Sequence, residues 1–118
     1  MRITLKMNKI VAIPTSKDHL CEHFGHCEKF AILEIENDSI REEIYVIPPP
    51  HEPGLLPEWL ASKGITHVIA GGIGCHALSL FKERDIQVIT GVQDKPPRVL
   101  AEAFINNKLV TGVNPCDH

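Results

Sequence analysis

Five short β-branched runs in this chain are joined in two different ways, and that mixture limits the folds open to it. Residues 30–35 and 40–47 are separated only by the turn Asn37-Asp38-Ser39, too short for anything but an antiparallel hairpin. Ahead of them, Lys9-Ile10-Val11-Ala12-Ile13, halted by Pro14, reads as a buried strand. Behind them, the runs 66–70 and 86–90 each follow a segment of helical period. Leu55, Leu56, Trp59 and Leu60 mark the first, with Pro57 tolerable in the opening turn and Gly64 as its terminator. Ala77, Leu78 and Phe81 mark the second, to about Arg84; a third starts near Pro97 with Val99, Leu100, Ala103 and Phe104 inward. Right-handed crossovers set the fourth strand beside the first and the fifth outside it, while the hairpin extends the other side. The expected fold is α/β, with a mixed five-stranded sheet of order 3-2-1-4-5 in which only strand 2 is antiparallel.

A chain of 118 residues has room for one domain with one core, and it is read as a single domain over residues 1–118. Residues 1–7 are expected to be an N-terminal extension and 107–118 a weakly patterned tail. The 43% hydrophobic and 23% charged fractions exclude a disordered tail, a collagen-like rod and a coiled coil. A net charge of −3 argues against nucleic acid, whose binders carry a basic face that displaces counterions. No apolar run approaches the roughly 20 residues that span a bilayer, so no membrane role is expected. The first residues contain no apolar signal region, and a cytoplasmic location follows as the expectation.

In that topology the chain leaves strands one and four in opposite directions, and open α/β sheets bind ligands at such a switch point. The loops after these two strands hold most of the chemistry. The first reads His19-Leu20-Cys21-Glu22-His23-Phe24-Gly25-His26-Cys27, five soft or borderline ligands within nine residues. The C-x5-C spacing is not the C-x2-C knuckle of structural zinc. Thiolate with imidazole suits zinc, copper(I) and iron–sulfur species, and the lack of clustered carboxylates disfavours magnesium and calcium. The candidate metal ligands are therefore Cys21, His23, His26, Cys27 and, from the second loop, Cys75. Phe24 can anchor the first loop on the core, and Gly25 permits a turn that aims the His23 imidazole outward. The bland alternative is a solvated polar loop.

The second loop, Gly71-Gly72-Ile73-Gly74-Cys75-His76-Ala77, joins a strand to a helix. Its backbone N–H groups can face an anion at the helix N-terminus, and an anionic metal–sulfur cluster fits as well as a phosphate. Cys75 in the first turn should feel the helix dipole; it reads equally as a small buried residue. The competing reading of the glycines is a tight turn required by packing alone. The C-terminal Cys116-Asp117-His118 is either a C-x-H pair or a frayed end, while His51 and His67 read as incidental.

Several functions fail on the residues. Gly72-x-Gly74-x-x-Ala77 satisfies a dinucleotide fingerprint, but the next strand ends Ile89-Thr90-Gly91 without the acidic residue that binds a ribose. A two-metal nuclease needs carboxylates on strands one and four, which carry none. A thiol–disulfide enzyme prefers C-x-x-C, also missing.

The combination Val11-Ala12-Ile13-Pro14, His23-Phe24-Gly25 with Phe30, and Gly71-Gly72-Ile73-Gly74 with Ala77 resembles the dinitrogenase iron–molybdenum cofactor family. The closing Val99-Leu100-Ala101-Glu102-Ala103-Phe104 with Asn107-Lys108-Leu109 is similar to it too, so the likeness runs from about residue 8 to the end of the last helix. The resemblance implies a ribonuclease H-like three-layer fold without nuclease activity. It implies a non-enzymatic protein that carries a metal–sulfur cluster, iron–molybdenum or related, between donor and acceptor proteins. It carries His23 over as the cluster contact and Gly71, Gly72 and Gly74 as backbone contacts; Phe24, Gly25 and Cys75 complete the expected cofactor-binding set. A monomer or weak homo-oligomer is expected. Two alternatives stand beside this reading: a zinc-binding structural or regulatory domain, and a small Cys/His redox or hydrolytic enzyme.

Overall fold

A computed structural model of the chain describes residues 8–21, 24, 27–50 and 54–112. It is a mixed α/β structure with six strands and three helices: β1 (Lys9–Ser16), β2 (His19–Leu20), β3 (Lys29–Glu36), β4 (Ser39–Val46), α1 (Leu55–Ser62), β5 (His67–Ile69), α2 (Cys75–Glu83), β6 (Gln87–Ile89) and α3 (Pro97–Ile105). The sheet runs β4-β3-β1-β5-β6, with β2 paired to β1 off that path. β3 is antiparallel to both β1 and β4, while β5 is parallel to β1 and to β6.

Side-chain alternation along β1 divides the core. Ala12 joins Phe30, Ile32, Val68 and Ala70 on one face, covered by Leu56 and Leu60 of α1 and Phe81 of α2. Val11 and Ile13 join Ala31, Leu33 and Ile69 on the other, covered by Leu100 and Ala101 of α3. The central strands are buried on both faces, which is why they read as near-continuous apolar runs rather than as alternating ones. Gly64 ends the first helix as expected, one residue past the C-cap Lys63 and with φ +76°.

The structure departs from the sequence expectation at two points, both at the end of β1. The sheet has six strands rather than five, and β1 passes through Pro14 to Ser16 instead of stopping there. The N and C=O of one residue in an extended strand point to the same edge. The Pro14 carbonyl accepts the Cys21 N–H at 2.7 Å, so the missing proline N–H also faces that side. On that side the β5 ladder has already ended at Ala12↔Val68, so no bond to β5 is forfeited, and Pro14 still accepts at the end of the short β1–β2 pairing. The chain then reverses at Lys17-Asp18, both with positive φ (55° and 66°), and returns as the two-residue β2. That pair of left-handed residues matches the twist of a two-residue hairpin, and Asn37-Asp38 (55° and 61°) does the same between β3 and β4.

Candidate functional site

Because β1, β5 and β6 are parallel, the segments leaving their C-terminal ends emerge at one rim of the sheet. Three loops meet there. The first, residues 21–28, is pinned at both ends to β1: the Cys21 N–H donates to Pro14 O at 2.7 Å and the Glu28 N–H to Thr15 O at 2.8 Å. Its middle is anchored by Phe24, buried edge-on against Phe30 (centroids 5.7 Å) and Phe81 (5.5 Å). The Phe24 N–H donates to Gly72 O at 3.0 Å, which joins the first loop to the glycine loop. Phe24 thus does what the sequence suggested for an anchor. Its neighbours His23 and Gly25, and also His26, lie outside the described residues, as do His51 and the C-terminal Cys116 and His118.

The glycine loop is joined to a third segment, residues 90–96. The Gly91 N–H donates to Gly71 O at 2.8 Å and the Val92 N–H to Ala70 O at 3.2 Å. The third loop also reaches the first, through the Leu20 N–H to Lys95 O at 3.0 Å and a contact between His19 and Asp94. The carbonyls of Gly71 and Gly72 are therefore committed to holding the rim together. The glycine loop ends at the N-terminus of α2. There Gly74 has no side-chain cap, the first turn holds no acidic residue, and a Cβ built on Gly74 meets nothing within 4 Å. An uncapped, open helix start of this kind favours an anion.

The cysteines are less uniform than their spacing suggested. Cys21 and Cys27 are thiols outside any disulfide, Cys21 buried and Cys27 partly so. Burial, and then the neighbouring Cys21, pushes the Cys27 thiol up to about 12, with a backbone hydrogen bond opposing them. Cys27 is therefore protonated near neutrality, and a metal there must displace the proton. Cys75 corrects its expectation as a thiolate at the helix start: it is disulfide-bonded, with neither of those two, and in that state offers no thiolate. Among the described residues no three of His, Cys, Asp and Glu gather into a metal-holding group. His67, expected to be incidental, sits at the opposite, N-terminal end of β5, with Nδ1 2.7 Å from Thr66 Oγ1 and its ring 5.1 Å from Phe104.

Sequence reasoning missed the third loop. Its signal was present: Gly91 closely follows a β-branched strand as Gly71 does, and Pro96-Pro97 mark the start of α3. Gly91 has φ +71°, and a Cβ there would lie 2.2 Å from the Gly112 carbonyl oxygen. The stretch after α3 thus crosses back over the rim at a point only glycine permits.

The description "Dinitrogenase iron-molybdenum cofactor" belongs to the family that matches residues 7–107. The chain belongs to this family. An uncharacterised protein of Methanocaldococcus jannaschii is 35% identical over 92 residues, covering 73% of this chain and 76% of the relative. The crystal structure of PH0822 superposes with a TM-score of 0.81 at 32% identity, covering 86% of this chain and 93% of the other. The apo form of the orange protein from Desulfovibrio gigas superposes with a TM-score of 0.71, covering 89% of this chain and 93% of that one; at 16% identity it speaks to the fold alone. Among the described residues, no helix is long and apolar enough to cross a membrane.

Proposed function

We propose that this family member is a non-enzymatic, cytoplasmic carrier of an anionic metal–sulfur cluster or a metal ion, iron–molybdenum-like in kind, received from a donor protein and released to an acceptor. In this reading His23 supplies the main metal contact, His26 and the Cys21 and Cys27 thiols assist, and the N-terminus of α2 offsets the cargo's negative charge. The sheet is taken as ribonuclease H-like, with its nuclease chemistry absent. The observation that supports the reading most directly is the 3.0 Å bond from the Phe24 N–H to Gly72 O, which sets Phe24, the residue next to His23 in sequence, beside the glycine loop. Membership of the dinitrogenase iron–molybdenum cofactor family supports the class of cargo. A carrier must let go, so few protein–metal bonds and a partly open site suit it better than a closed tetrahedral cage.

The decisive experiment is anaerobic purification without added metal, followed by metal and acid-labile sulfide counts. Sulfide with molybdenum, iron or copper is the expected result. Stoichiometric zinc whose removal unfolds the domain would replace this reading with a structural zinc site.

A further inference from the structure

The contact between His19 and Asp94 is a component of the rim that the carrier reading does not use. His19 Nδ1 lies 3.2 Å from Asp94 Oδ1, with side chains 51% and 69% exposed. Two exposed side chains seldom hold one geometry for long, but here the backbone restrains both. The Leu20 N–H donates to Lys95 O at 3.0 Å, so the residue after His19 is tied to the residue after Asp94. Leu20 and Val92 are buried on the same side of the sheet, which fixes the two segments further.

The chemistry then follows from the donor inventory. An ionised carboxylate only accepts, so a neutral imidazole at this distance has its proton on Nδ1. That leaves the Nε2 lone pair directed away from the carboxylate, on a residue four positions before His23. Histidines that bind metals are arranged in this way, with the second ring nitrogen held by a carboxylate that sets the tautomer and raises ligand basicity.

We propose that Asp94 is a positioning residue that fixes His19 as an Nε2-presenting ligand at the rim, for a borderline transition-metal centre of the cargo. The inference rests on the carrier reading and extends it to a further imidazole, beyond His23 and His26, on a different wall of the rim from the glycines.

Two measurements on the full chain test it. Long-range 1H–15N correlation spectra of metal-free protein read the tautomer: His19 should be protonated at Nδ1, and Asp94→Ala should return it to the Nε2–H form that free imidazole favours. Titration with Co(II), followed by visible absorbance, reads the ligand role. Asp94→Ala and His19→Ala should each weaken Co(II) binding about tenfold, and the double variant should lose no more than His19→Ala alone. An Nε2–H tautomer in the parent chain, no detectable Co(II) binding, or an affinity unmoved by both substitutions overturns the proposal. His23→Ala separates the two levels. If it alone weakens binding, the carrier reading stands and the role of His19 falls. If none of the three variants changes affinity, both fall.

Discussion

The amide of Phe24 and the carbonyl of Gly72 are 48 residues apart in sequence and 3.0 Å apart in space. One bond therefore couples a ring anchored in the core from the first loop to the turn that launches α2. Because Phe24 is also clamped between Phe30 and Phe81, the docking of the first loop at this residue depends on how well the one side chain fills its place.

Phe24→Ala should accordingly cost about 3 kcal/mol of stability, the lower end of what deleting a buried phenyl removes. Denaturant unfolding followed by circular dichroism measures it. Phe24→Leu keeps most of the volume and should lose less than half as much. A near-neutral Phe24→Ala would mean that the ring is not the anchor described.

Gly91 is constrained twice, by a left-handed backbone and by the chain that crosses it at Gly112. Gly91→Ala should lose about 1–2 kcal/mol for the left-handed conformation alone. The added methyl must also displace residues 108–112, which should then become more open to limited proteolysis. Equal protease sensitivity in parent and variant would remove the proposed crossing.

These two residues show where sequence reading succeeds and where it stops. Phe24 was legible because an aromatic flanked by histidine and glycine in a loop has few reasons to be there other than anchoring. The strands and the ends of the helices were legible from β-branched runs, from Pro57 and from Gly64, since each is a local preference. Strand β2 was not, because two residues carry no period, and neither was the passage of β1 through Pro14, which depends on where the neighbouring ladder ends. The third loop was hidden for a similar reason. Its bonds to Gly71 and Leu20 are backbone contacts between distant segments, and no side-chain pattern encodes them.

His67 gives the fold a pH dependence of known sign. Burial, then Lys9, holds its pKa below the ordinary 6.5, with a hydrogen bond to Gln87 opposing them. Between the folded value and 6.5 the unfolded chain binds more protons, so stability should be steady above 6.5 and fall as the pH drops through that window. Chemical denaturation at pH values from 7.5 to 5 should show the fall in the parent and a flatter curve in His67→Gln. Identical slopes would assign the acid sensitivity to other groups.

Cys27 acts at the other end of the scale. Its thiol is raised from 9.0 to about 12 in the fold, so above pH 9 the unfolded chain ionises first. The stabilising contribution is complete below pH 9 and is lost as pH rises toward 12. Cys27→Ala should flatten that alkaline loss. The same burial should make Cys27 slow to react with iodoacetamide at pH 8, because the thiolate is the nucleophile. Rapid labelling of Cys27 in the native protein would contradict the burial and the shift together.

His23 tests the cargo itself. An imidazole must be neutral to coordinate, so binding that depends mainly on His23 should weaken as pH falls through roughly 6 to 6.5. Replacing it with alanine should lower affinity at least tenfold, about 1.4 kcal/mol, while leaving the thermal midpoint nearly unchanged. Absorbance titration of the cluster against pH, paired with a melting curve, separates a ligand from a packing residue. His67→Gln serves as the control, since it alters stability in the same pH range from the far end of β5. Loss of binding in His23→Ala without loss of folding supports the carrier role, whereas a collapsed melt with intact binding makes His23 a core residue and moves the cargo contact elsewhere.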